Sequence, residues 1–128
     1  MVRFLIVCGA GALGSGLRYL VAVAMGDSRP GAFPWGTLIV NVVGSFLIAL
    51  ILELALRIPS IPTNLRIGIA TGFVGGLTTY SAFNYQSTAL VMNGDTLRGV
   101  ANVAMTLVGC AVAGLLGLAV ARAIPASS

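Results

Sequence analysis

Long apolar stretches separated by short polar connectors set the rhythm of this chain. Three windows carry no charge: Pro30–Leu52 (23 residues), Ile67–Gly94 (28) and Gly99–Ala121 (23). A further run covers Phe4–Leu17, is interrupted by Arg18, and resumes over Tyr19–Gly26. About 20 apolar residues carry a helix across roughly 30 Å of hydrocarbon. The pattern therefore predicts four membrane-spanning helices, at about residues 3–25, 36–58, 66–92 and 97–123. Only short loops remain, so the expected fold is one all-α, four-span membrane domain over residues 1–128. Turn-forming residues punctuate the gaps at Asp27–Gly31, Pro59–Asn64 and Asn93–Asp95. Tyr19 and Trp35 fall near predicted ends, where aromatic rings favour the headgroup zone. The first run reads as a retained span rather than a signal peptide, because it is long, holds Arg18 inside and is preceded only by Arg3.

Composition agrees with a bilayer and removes most chemistry. The chain is 58% hydrophobic and 8% charged, against about 25% charged in a globular average. Seven arginines and three acids (Asp27, Glu53 and Asp95) are the whole charged set, with no histidine. General acid–base catalysis, zinc hydrolysis and a Ser-His-Asp triad thus have no residues to use. The net charge of +4 comes from scattered arginines, not from a basic run, so nucleic acid is not an expected partner. Cys8 and Cys110 lie in apolar stretches and suggest neither a disulfide framework nor a metal site. With four spans, Arg3, Arg57, Arg66 and Arg122 fall on one side, and Arg18, Arg29 and Arg98 on the other. That split leaves two orientations open. The chain takes a single weakly fixed orientation, or it inserts both ways and pairs antiparallel about a two-fold axis in the membrane plane.

Polar groups within the spans are the candidates for function. Thr37, Asn41 and Ser45 share one face of the second span, and Asn102, Thr106 and Cys110 one face of the fourth. Both rows fit either interhelical hydrogen bonding or a working surface. Glycines at 9, 11, 14 and 16, and Gly109, Ala113 and Gly117, suit close helix packing. Arg18 either snorkels, anchors a helix end through backbone carbonyls, or draws anions into a vestibule. The third span is the most informative. Gly75 and Gly76, followed by Thr78 and Thr79, are poor helix formers near its midpoint, so a break is expected there. The carbonyls it frees suit a hard cation such as Na+. Tyr80 and Phe83 follow at i and i+3; either they pack in the core beside a flexible glycine kink, or they turn the positive edges of their rings toward a pore, where those edges favour a small anion. Thr79, Ser81, Asn41 and Thr106 are nearby donors able to replace lost hydration.

Three motifs carry a resemblance across essentially the whole chain. They are Gly11-Ala-Leu-Gly-Ser-Gly-Leu-Arg18-Tyr, Pro34-Trp-Gly-Thr-Leu-Ile-Val-Asn41-Val-Val-Gly44, and Thr71-Gly-Phe-Val-Gly-Gly-Leu-Thr-Thr-Tyr-Ser-Ala-Phe83. In this order and spacing the chain resembles the small fluoride channels called Fluc or CrcB. The resemblance implies a dual-topology antiparallel homodimer in a bacterial-type inner membrane, surrounded by lipid, with two fluoride pores built from both subunits. It implies a structural Na+ at the dimer interface, held by carbonyls that map onto Gly75 and Thr78. The family's pore phenylalanines map onto Tyr80 and Phe83, its pore asparagine onto Asn41 and the following serine onto Ser81. A polar track in the fourth span maps onto Asn102 and Thr106. This chain departs from the usual pattern in carrying Tyr80, Ala82 and Gln86 where relatives commonly have phenylalanine, threonine and glutamate.

The expected activity is passive, selective fluoride export, with no enzymatic function. The lack of a mid-span acid or histidine disfavours proton-coupled exchange. Two other readings compete with it. A small dual-topology multidrug exporter needs a carboxylate in the first span, which is absent here. A non-transporting membrane assembly subunit predicts an apolar interface with no ion path.

Overall fold

In the computed structural model, which describes residues 1–125, every regular element is helical and the described residues form no strand. Helix α1 spans Val2–Met25, α2 Trp35–Arg57 and α6 Thr96–Ala123, and these three are long and apolar enough to cross a membrane. The passage between α2 and α6 is segmented. It consists of α3 (Thr63–Ile67), a π-helix (Gly68–Val74), α4 (Gly75–Leu77) and α5 (Tyr80–Met92).

The connectors show why the long helices start and stop where they do. Gly26 ends α1 in the left-handed region at φ 73°, a conformation that glycine adopts without a Cβ penalty. Asp27, one residue on, caps the next helix rather than its own. Its Oδ1 accepts from the Gly36 N–H (2.9 Å), and its Oδ2 accepts from the Thr37 N–H (2.8 Å) and hydroxyl (3.2 Å). These N–H groups are among the donors that any helix start leaves unpaired. Thr37 is therefore turned to the loop, and does not continue the polar row of Asn41 and Ser45. Asp95 caps α6 in the usual way, accepting from the Arg98 N–H.

Side-by-side packing depends on small residues, as expected where lipid supplies no hydrophobic drive between helices. A Cβ on Gly14 of α1 would fall on the Phe73 carbonyl oxygen, and one on Gly76 would fall on the Gly11 carbonyl. Backbone meets backbone at both points. The most extensive pair is α2 with α6, where Gly117 lies against the Phe46 carbonyl and Ala113 is buried. Contacts at the ends show that these two helices run parallel. Arg98 Nη1 reaches the Gly31 carbonyl (3.5 Å) near their starts, whereas Arg122 Nε bonds Glu53 Oε1 (3.0 Å) near their finishes. Leu13, Leu20, Leu56, Leu107 and Leu115 point outward, giving the bundle an apolar exterior.

The third passage follows a path that hydropathy did not anticipate. The expected helix over 66–92 is wound as a π-helix through Gly68–Val74, where Gly68 and Gly72 press on Ile6, Val7 and Ala10 of α1. After Leu77 the backbone extends at Thr78 (ψ 155°) and Thr79 (φ −153°, ψ 118°) before α5 begins.

Removing the loop cap tests this account. Asp27→Ala should destabilise the protein by about 1–2 kcal/mol through loss of the α2 cap. The measurement is the midpoint of thermal unfolding in detergent, which should fall relative to the parent protein.

Candidate functional site

The extended pair Thr78–Thr79 lies against α2, and one side chain repairs the gap it makes in the helical ladder. Asn41 Oδ1 accepts from the Thr79 N–H (2.8 Å), and Asn41 Nδ2 donates to the Thr79 carbonyl (3.0 Å). The amide thus pairs with the backbone as a strand neighbour would. Thr79 in turn caps α5, its hydroxyl accepting from the Ala82 N–H (3.2 Å) and lying 3.2 Å from Ser81 Oγ.

This arrangement has a consequence for the preceding carbonyls. In an uninterrupted helix the Gly75 and Thr78 carbonyls would accept from the N–H groups four residues on. Those donors, on Thr79 and Ala82, are committed to the side chains of Asn41 and Thr79. Among the described residues neither carbonyl receives a backbone hydrogen bond. The Gly76 carbonyl is handled differently, since Arg18 Nε (3.2 Å) and Ser15 Oγ (3.3 Å) both donate to it. Arg18 anchors the interrupted segment to α1.

A cavity of about 410 Å³ opens beside the interruption, lined by Asn41, Gly75, Thr78, Thr79 and Thr106 together with the rings of Tyr80 and Phe83. Ser45 and Cys110 complete its polar wall. The two rings stand 5.6 Å apart between centroids, tilted by 57°. They also line a second cavity, of about 430 Å³, whose polar residues are Asn84, Ser87 and Thr88. The ring pair therefore divides two partly polar spaces that follow one another along α5 and α6. Phe83 is held inside the bundle at 6% exposure, whereas Tyr80 is 75% exposed.

Most of the residues singled out by sequence come together here, but not all in one role. Ser81 is exposed and bonded to Thr79, outside the cavity lining. Asn102 is almost completely buried and lines neither cavity; its Nδ2 donates to Ser87 Oγ (2.8 Å). Ser15 and Ser87 make site-supporting bonds that sequence reasoning missed, as it missed the Asp27 cap on α2. For Ser87 a signal existed, since it lies one helical turn beyond Phe83. Its partner, fifteen residues away on α6, is joined to it only by tertiary packing.

Comparison with known proteins gives the arrangement a lineage. The family model described as CrcB-like protein, Camphor Resistance (CrcB), matches residues 5–118. The chain belongs to the CrcB family. A protein of Anaeromyxobacter sp. (strain K), named fluoride-specific ion channel FluC, is 48% identical over 113 residues, covering 88% of this chain and 90% of the relative. A FluC of Geobacter metallireducens is 43% identical over 122 residues, covering 95% and 98%. Another, from Rhizobium meliloti (strain 1021), is 42% identical over 124 residues, covering 97% and 99%. This CrcB chain is a multi-pass membrane protein of a channel family, not an enzyme.

The clamp on Thr79 gives the family member its most sensitive point. Asn41→Leu leaves the half-buried Thr79 N–H and C=O without partners, at about 1 kcal/mol or more each. Ser45→Ala, which removes only a bond to the Asn41 carbonyl within the same helix, should cost no more than about 0.5–1 kcal/mol. Thermal midpoints of the two purified variants should separate accordingly.

Proposed function

We propose that this protein is a fluoride-selective ion channel that lets fluoride leave the cell passively across a bacterial-type inner membrane. The observation that carries the reading is the pair of rings, Tyr80 and Phe83, shared by two partly polar cavities that open along α5 of a largely apolar bundle. The FluC relatives named above support the choice of ion. Fluoride sheds water on entering a constriction and needs compact donors and positive ring edges in exchange. Thr79 supplies a hydroxyl and the rings supply C–H edges, while Thr106 lines the same cavity with its Oγ1 buried and without a partner. Asn41 has a second Nδ2–H beyond the one given to Thr79. Asn102 acts from its buried place on α6 through Ser87, and Ser81 from the exposed face of α5.

An antiparallel, dual-topology homodimer with two pores is part of this reading. Tyr80, Ser81, Asn84 and Thr88 are exposed along α5 of the single chain. Polar groups left toward lipid at membrane depth are costly, and a second copy of the chain covers them. The near balance of arginines supports insertion both ways. A structural Na+ belongs to the same proposal. Gly75 and Thr78 would hold it, since hard carbonyl oxygens without backbone donors suit a hard monovalent cation. Bound there, it would neutralise carbonyl dipoles at the interruption. Arg18, engaged with Gly76, supports that backbone rather than gathering anions.

Reconstituted vesicles provide the test. Fluoride efflux should far exceed chloride efflux, and a fluoride leak no greater than that of protein-free vesicles would overturn the reading. Phe83→Ile keeps an apolar side chain but loses the ring edge, and should lower fluoride flux at least about tenfold. The dimer should persist by size-exclusion chromatography.

A further inference from the structure

Helix α5 carries both rings, yet little holds it in place. It packs mainly on α6 and only slightly on α2. Its buried stripe is Phe83, Ser87 and Leu90, with a serine at the centre of an otherwise apolar seam. That serine is part of a relay running inward from α6. Asn102 Nδ2 donates to Ser87 Oγ at 2.8 Å, and Ser87 Oγ donates to the Phe83 carbonyl at 2.8 Å. Accepting from Asn102 uses a lone pair of the hydroxyl and leaves its hydrogen for the Phe83 carbonyl. Ser87 is 6% exposed and Asn102 1%, so water does not compete for either bond.

The remaining half of the Asn102 amide sharpens the point. Its Oδ1 is buried without a hydrogen-bond partner. An amide kept in an apolar seam with one acceptor unmet is unfavourable as packing alone. Leucine would fill the same space without that penalty. The bond to Ser87 is what the amide provides in return. With the Thr79 hydroxyl fixing the first turn of α5 through Ala82, Phe83 lies one turn from each of two polar anchors.

We propose that Ser87 and Asn102 are positioning residues of the permeation path. Together they fix the rotation of α5 against α6, and with it the aim of the Phe83 ring. Asn102 then acts on the ion through Ser87 and the Phe83 backbone, not as a direct ligand. This deepens the channel reading above and rests on it.

The experiment is a double-variant cycle on the full-length protein reconstituted in vesicles, reading fluoride flux, the fluoride-to-chloride flux ratio and the dimer peak. Ser87→Ala and Asn102→Leu should each lower fluoride flux about tenfold, the double variant falling no further than the worse single one, as expected for one shared interaction. The flux ratio should fall in both, with the dimer intact. Ser87→Thr, which keeps the hydroxyl, should restore flux and ratio to near the parent values. If Asn102→Leu yields no dimer, the Ser87→Ala and Ser87→Thr pair decides alone, because it differs by little more than the hydroxyl. Parent-like flux and ratio in Ser87→Ala would overturn the proposal, as would losses that multiply in the double variant. Fluoride flux in the parent with unaltered variants removes the positioning role alone, whereas no flux in the parent removes the channel reading with it.

Discussion

The pairing of one side-chain amide with one backbone residue sets the geometry of the whole interrupted segment. Asn41 satisfies both polar groups of Thr79, and without it an extended residue inside an apolar bundle would be left with an unpaired donor and acceptor. Because the Thr79 N–H is taken, the Gly75 carbonyl is released from the helical ladder. Because the Thr79 hydroxyl takes the Ala82 N–H, the Thr78 carbonyl is released as well. Two carbonyl dipoles without backbone donors and a new helix start accompany a single clamp. Tyr80 and Phe83, at the first turn of that new helix, inherit their positions from it.

The rest of the bundle brings the clamp and its target together. Glycine contacts between α1 and the π-helix and α4 segments let backbones meet, so Arg18 and Ser15 reach the Gly76 carbonyl. The parallel pair α2 and α6 forms the opposite wall, presenting Asn41 from one helix and Thr106 from the other to a shared cavity. Few large side chains are buried, which is the expected economy of a protein whose outer surface faces lipid. Polar bonds, rather than apolar burial, specify how the segments register.

Much of the architecture was legible in the order of residues. Window length and lack of charge marked α2 and α6, and the apolar run on either side of Arg18 marked α1, because crossing hydrocarbon imposes a minimum apolar length. Gly75, Gly76, Thr78 and Thr79 drew attention as poor helix formers, and the motifs around Arg18, Asn41 and Phe83 pointed to the family. The π-helix over Gly68–Val74 was not legible, because hydropathy is blind to which carbonyl an N–H selects. Nor were the partners of Asp27, Ser15 and Ser87. Asp27 read as turn chemistry, and its role as a cap emerges only when the loop folds back on α2.

The amino-acid order alone therefore determined a membrane-embedded helical chain without catalytic groups, its family, and a small set of polar residues within the spans. These properties depend on composition and local spacing, which need no fold to be read. Only the tertiary structure decided what each polar residue does. Asn41 holds a backbone, Thr37 joins a loop cap, Arg18 anchors a carbonyl, and Asn102 reaches Ser87. A hydrogen bond requires its two atoms within about 3 Å, and between residues far apart in sequence that proximity exists only once the helices have packed.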